Sequence, residues 1–203
     1  VYGSININGA ITGRATHSNP NLAQVPAVIL EYGPECRSLF CASEGHVLVG
    51  ADMSQIELRI LGHYISAYDG GEYADDVING DIHTRTLQAL GLKQEERWLA
   101  KRFMYTFLYG GGGKKLGEVM GTTTEEGFKL KDKFLKKIPA LKKLVTKVQE
   151  VSANGDIGAL DGRRVFCRSQ HSALNSLLQS GAAIASKYWI AECKSFLNED
   201  CKL

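Results

Sequence analysis

The 203 residues suffice for one domain or two small ones, and a hydrophobic content of 44% fits a globular chain. A formal net charge of +2, from 24 basic and 22 acidic residues, gives no argument for nucleic-acid binding by total charge and leaves only its distribution to carry one. Five cysteines with no Cys-x-x-Cys pair argue for reduced thiols over a disulfide frame or a zinc site, and no apolar run approaches the ~18 residues of a membrane span. In chain order, residues 1–27 are polar and rich in Gly, Asn and Pro, which predicts extended segments and loops. Residues 46–52, His-Val-Leu-Val-Gly-Ala-Asp, predict a buried strand that delivers Asp52 to a sheet edge. Ile56, Leu58, Ile60, Leu61, Tyr64 and Ile65 predict a helix over residues 54–67, with Ser54 and Glu57 as a capping box. Two short helices follow, over 73–79 and 83–90, separated by Asn79-Gly80-Asp81.

The next helix, from about Lys93 to the Gly110–Gly113 run, is the most informative segment. Arg97, Lys101, Tyr105 and Tyr109 recur every four residues, so two cations and two aromatic rings stack along one helical face. A nucleoside triphosphate has the same polarity, a polyanion at one end and a flat base at the other. Arg offers a rigid fork to phosphate oxygens and Lys a mobile point charge. By spacing alone an ordinary amphipathic helix is an equal alternative. The glycine run also reads as its C-cap. Further helices are predicted over 124–137 and, past Pro139, over 140–151. A hairpin over 159–168 turns at Asp161-Gly162. The final helix, 171–197, is apolar on most of its surface and reads as buried. Helices in the middle and strands at both ends predict an α+β fold, a helical lobe inserted into a sheet-containing one.

Five stretches together resemble family A DNA polymerases, in order and over nearly the whole chain. They are Thr12-Gly13-Arg14-Ala15-Thr16-His17 with the following Pro20-Asn21-Leu22-Ala23-Gln24-Val25-Pro26, Asp52-Met53-Ser54-Gln55-Ile56-Glu57-Leu58-Arg59, Gly80-Asp81-Ile82-His83-Thr84, the Arg97–Gly110 helix, and His171 through Ser180. The order Asn-Leu-Ala-Gln, Tyr105 where many bacterial relatives carry Phe, His171 where many carry Arg, and the Leu160-Asp161-Gly162-Arg163 turn are similar to the replicative polymerases of short-tailed bacteriophages.

The resemblance implies an incomplete right-hand architecture, with palm over 1–66, fingers over 67–155 and a return to the palm over 156–203. It implies template-directed deoxynucleotidyl transfer to a primer 3′-hydroxyl, with two Mg²⁺ ions held in part by Asp52 and by the Met53 backbone carbonyl. Gln55, Glu57, His83, Arg97, Lys101, Tyr105 and Tyr109 would bind the nucleotide. Among them Glu57 would exclude a ribose 2′-hydroxyl and Lys101 would protonate the departing pyrophosphate. Arg14, Asn21, Gln24, Gly110, His171, Asn175 and Gln179 would contact primer-template DNA. Most of these are donors suited to minor-groove acceptors that every base pair presents. The lysine-rich stretch from Lys129 to Lys147 fits DNA phosphates or a solvated helix face equally.

The family's third signature, a His-Asp-Glu turn, does not follow the last helix, and Asn198-Glu199-Asp200 lacks its His and strand context. The chain, which opens on Val, is therefore expected to be part of a longer polymerase, or less simply a split-gene subunit completed by a second polypeptide, and inactive alone. For the intact enzyme the resemblance implies the cytoplasm of an infected bacterial host, no membrane, and a host thioredoxin-like processivity factor. Two other readings stay open. A non-catalytic nucleic-acid-binding module is disfavoured by the presence of Asp52, Lys101 and Arg97. A single-subunit RNA polymerase is disfavoured by Glu57 in its Ser-Gln-Ile-Glu context.

Overall fold

A computed structural model describes residues 2–197 and Cys201, so the Asn198-Glu199-Asp200 run lies outside the described residues. The chain divides into two compact units, one ending at Ser54 and the other beginning at Gln55.

In the first unit, β1 (Ser4–Asn6) pairs antiparallel with β2 (Thr16–Ser18), in the register Ser4↔Ser18, Ile5↔His17, Asn6↔Thr16. A single 3-10 turn, Leu22–Gln24, is capped by Asn21, whose Oδ1 accepts from the Ala23 amide at 3.1 Å. A short helix, α1 (Gly33–Ser38), carries Pro in its first turn, where a missing N–H costs nothing. The sequence pattern predicts neither the 3-10 turn nor α1. The strand predicted over 46–52 does not form. These residues are non-regular, and Val47, Leu48 and Val49 are 81, 68 and 89% exposed. A buried strand needs a hydrogen-bonding neighbour and apolar cover on both faces, and no described segment supplies them here. The apolar run is a necessary condition for that strand and not a sufficient one.

The second unit is mostly helical. Its elements are α2 (Ile56–Asp69), α3 (Glu72–Ile78), α4 (Ile82–Leu90), α5 (Arg97–Leu108), α6 (Gly113–Met120), α7 (Thr124–Lys137) and α8 (Pro139–Val151). A hairpin of β3 (Asp156–Gly158) and β4 (Arg164–Phe166) follows, and then α9 (Ala173–Phe196). The hairpin turns where Asp161-Gly162 predicts, with Ile157 opposite Val165. The core draws Leu58, Leu61 and Ile65 from α2, Phe103 and Met104 from α5, Phe134 from α7 and Leu141 from α8, all fully buried. Phe134 anchors α5: its ring meets Phe103 and Phe107 edge-on, each at 5.4 Å between centroids. Such edge-to-face pairs add about 0.5–1.5 kcal/mol each to the area they bury.

Three local expectations change. The capping box on α2 is absent, because Gln55, in the left-handed region at φ 55°, is the N-cap and Ser54 lies one residue too early. The helix α6 was hidden by its glycines, which serve packing: a Cβ on Gly127 of α7 would lie 2.1 Å from the Gly113 carbonyl oxygen and 2.6 Å from the Gly117 nitrogen. Only a glycine-lined crossing lets two backbones approach that closely. Finally, α9 is buried only in its first half. Beyond Ile184 its apolar residues emerge, with Tyr188 65%, Ile190 54% and Phe196 85% exposed. Its composition is that of a buried helix, but no other described element covers this end.

Candidate nucleotide site on the fingers helix

The site is built where the N-termini of α4 and α5 meet. Asn79-Gly80 ends the preceding helix, and Asp81 then caps α4. The Asp81 Oδ1 accepts from the amides of His83 at 3.1 Å and Thr84 at 3.3 Å, and Oδ2 accepts from the Thr84 hydroxyl at 2.8 Å. This is an ordinary Asp N-cap, satisfying amides that have no partner within the helix. The same carboxylate also accepts from Arg97, the first residue of α5. Nε donates to Oδ2 at 3.1 Å, and Nη2 donates to Oδ1 at 2.7 Å and to Oδ2 at 2.8 Å. The Arg97 guanidinium holds the Asp81 carboxyl well below the usual carboxylate range.

Along α5 the buried stripe is Ala100, Phe103, Met104, Phe107 and Leu108, and it packs inward. The opposite stripe is the predicted ladder. Lys101 is exposed, Tyr105 half-buried and Tyr109 49% exposed at the C-cap. The Tyr105 and Tyr109 rings lie 6.2 Å apart between centroids at 33°, and the His83 ring lies 6.2 Å from Tyr105 on its other side. Three rings and two cations therefore line one surface, contributed by α4 and α5 together.

Their protonation states follow from their surroundings. His83 is 6% exposed, and its Nδ1 is buried with no hydrogen-bond partner. A buried N–H without an acceptor costs more than a bare ring nitrogen, so the neutral ring is better drawn with its proton on Nε2. Burial, and then the charges of Arg97 and Lys101, press the ring's pKa below its ordinary value against the opposing pull of Asp81. At neutral pH His83 is a neutral donor. Burial raises the Tyr105 hydroxyl's pKa, with further increments from Glu57 and Tyr109, so it too keeps its proton. Glu57, half-buried in the first turn of α2, is thus electrostatically coupled to the ladder.

At the far end of the ladder the chain leaves α5 through Gly110, at φ 81°. The Gly110 amide donates to Phe107 at 3.0 Å and the Gly111 amide to Thr106 at 2.8 Å, the two bonds of a Schellman cap. A Cβ on Gly110 would stand 3.1 Å from the His171 carbonyl oxygen, so the end of the ladder is packed against the 3-10 turn, Gln170–Ser172, that leads into α9. His171 is exposed there, and Asn175 and Gln179 follow at four-residue spacing, both half-buried. The Asn175 Oδ1 is buried without a partner, an amide acceptor left open beside this junction.

The remaining predicted residues behave differently. Arg14, Asn21, Gln24 and Asp52 belong to the first unit and are exposed, and Met53 is half-buried. Gln55 is exposed at the start of the second unit. No group of three or more His, Cys, Asp or Glu among the described residues could hold a metal ion. Asp52 and one backbone carbonyl do not by themselves make a two-metal site, which needs several hard oxygen ligands per ion. Asp81 is the residue that the motif reading missed. Its cap was legible as Asp-x-x-Thr ahead of an apolar-periodic run, but its pairing with Arg97, 16 residues on, was not.

The model of DNA polymerase family A matches residues 1–202. The chain belongs to that family. Over 98% of its length it is 42% identical to the DNA-directed DNA polymerases of Enterobacteria phage T3 and of Escherichia phage T7, and it spans 31% of the length of each. A solved structure, the polymerase domain of Pol1 from M. smegmatis in complex with DNA primer-template and dNTP, superposes with a TM-score of 0.71. At 23% identity it covers 96% of this chain and 38% of that one, and so shows the fold alone. The α+β architecture of this family A polymerase chain is therefore that of a polymerase domain. No described helix is long and apolar enough to cross a membrane.

Proposed function

We propose that this chain contributes the nucleotide-gripping surface of a phage-type DNA-directed DNA polymerase, which transfers deoxynucleotides to a primer 3′-hydroxyl as a template directs. The observation that carries the reading is the continuous surface of Arg97, His83, Lys101, Tyr105 and Tyr109 across α4 and α5, cationic at one end and aromatic at the other. The triphosphate lies along Arg97 and Lys101, with the Nε2–H of neutral His83 as a third donor. Charge that develops on the leaving group is met by positions already cationic, which need no reorganisation at the moment of reaction. Tyr105 presents a hydroxyl to the sugar, and Tyr109 closes the aromatic end where base meets template. Glu57 lies on the 2′ side of the sugar, where a ribose hydroxyl would leave a buried polar group unpaired.

In this reading Arg14, Asn21, Gln24, Gly110, His171, Asn175 and Gln179 face the duplex. Residues 1–66 and 156–203 belong to the palm and residues 67–155 to the fingers. Asp52 and the Met53 carbonyl would be this chain's share of the ligands to Mg²⁺, which would supply Lewis-acid activation of the reacting oxygens when bound. A host thioredoxin-like factor and the cytoplasm of an infected bacterium complete the setting proposed for the whole enzyme.

Titrating the purified chain with a deoxynucleoside triphosphate tests the central claim. Trp98, one residue from Arg97 and 58% exposed, reports binding by its fluorescence. Lys101→Ala and Arg97→Ala should each weaken binding at least tenfold, the scale of a charge-assisted contact of 1.5 kcal/mol or more. A chain that binds no nucleotide, or binds equally well without both cations, would refute the reading. Primer extension by the chain alone should be undetectable. Robust synthesis would show that a metal site forms without the further carboxylate that this reading requires.

A further inference from the structure

Asp81 makes more contacts than a helix cap requires, and their geometry is informative. Its two oxygens satisfy the first turn of α4, from which the His83 ring projects, and they also bind the Nε–Nη2 edge of Arg97. A guanidinium has two such edges. The one built from Nη1 and the outer Nη2 proton makes no hydrogen bond among the described residues. The carboxylate thus consumes one edge of Arg97 and leaves the other to face outward. We infer that Asp81 is a positioning residue for the triphosphate: it locks the backs of Arg97 and of the His83 turn together, so that both donors are aimed before a nucleotide arrives. This rests on the nucleotide-site reading above.

The energetics favour aim over stability as the purpose of the pair. Both side chains are 42% exposed. Ion pairs at that exposure contribute little to folding, because solvent screens them and two long side chains must be ordered to make them. Their value lies in ordering a side chain that otherwise has several rotatable bonds. A ligand that must itself order such a side chain loses affinity, by about three- to tenfold for one flexible cation. The negative charge of Asp81 works in the opposite direction, repelling a polyanion. Because the carboxylate faces the far edge of the guanidinium and its charge is neutralised there, ordering outweighs repulsion.

The variant that separates the two roles of Asp81 is Asp81→Asn, since Asn is as good an N-cap as Asp but cannot form the ion pair. Inorganic tripolyphosphate is the probe, because it tests the grip on the polyanion without sugar or base. Circular dichroism should report unchanged helix content, and tripolyphosphate affinity should fall three- to tenfold. Arg97→Ala should fall further, and in the Arg97→Ala background Asp81→Asn should cost no affinity, because Asn keeps the cap beneath His83 and no guanidinium is left to aim. If Arg97→Ala weakens binding and Asp81→Asn does not, the positioning role is overturned and the site stands. If Asp81→Asn costs as much in the Arg97→Ala background as in the parent, the carboxylate acts by another route and the inference is likewise overturned. If the parent fails to bind tripolyphosphate, or Arg97→Ala leaves binding unchanged, the underlying site falls, and this inference with it.

Discussion

Two alanines placed two residues apart in one glycine run should have different consequences. Gly110 lies at φ 81°, and a Cβ there would sit 3.1 Å from the His171 carbonyl oxygen. Left-handed backbone costs a residue with a Cβ roughly 1–2 kcal/mol. Crowding against His171 adds to that, while the stiffer unfolded chain returns about 0.4–1 kcal/mol. The net expectation for Gly110→Ala is a loss of about 1–2 kcal/mol. Gly112 has φ −81° and ψ −178°, ordinary extended backbone, and no atom within 4 Å of an added Cβ. There the gain in the unfolded state is offset by the poorer N-cap that Ala makes for α6, so Gly112→Ala should fall within about 0.5 kcal/mol of the parent. Urea titrations with a common m-value measure both. In thermal melts the Gly110 variant should lose roughly 2–8 °C, on a scale of about 2–4 °C per kcal/mol for a chain of this size. Equal effects at the two positions would show that the cap and its contact with His171 are not the reason for the glycine.

Three further outcomes follow from the packing and the site. Phe134→Ala removes a fully buried ring in edge-on contact with two others, so it should cost about 3–5 kcal/mol in chemical denaturation, and a loss below about 1.5 kcal/mol would contradict its place under α5. His83 is held neutral, with its folded pKa below the unfolded value. Its contribution to stability is therefore complete above the ordinary imidazole pKa of about 6.5 and declines as pH falls below it. Denaturation midpoints at pH 7 and pH 5 should differ less in His83→Gln than in the parent, and identical pH dependence would refute the buried neutral ring. In primer extension by the intact enzyme, Tyr105 should permit weak discrimination against dideoxynucleotides and Tyr105→Phe should strengthen it. Equal exclusion by both forms would remove the sugar-side role of that hydroxyl.

The ladder was legible because it is local. Four residues at four-residue spacing on a helix share a face whatever surrounds them, and α5 indeed presents Lys101 and Tyr105 away from its buried stripe. The hairpin turn at Asp161-Gly162 and the break at Pro139 were legible for the same reason, since turn and breaker chemistry act within a few residues. Expectations that depended on partners fared less well. The apolar run before Asp52 has the composition of a buried strand, yet Val47 to Val49 stand exposed for want of a ladder and cover. The glycines that hid α6 look like helix breakers when read singly and like contact surfaces once α7 is laid against them.

By itself, then, the sequence determined what short-range physics governs: the helices with strong periodicity, the order of the polymerase motifs, and a cationic-to-aromatic face of the right polarity for a nucleotide. Tertiary structure alone decided which side chains from different helices meet. It placed the His83 ring against Tyr105, and it gave Arg97 its partner in Asp81. Neither pairing has a signature along the chain, because a contact between two helices depends on how two cylinders pack, and that is settled by the buried faces on their other sides.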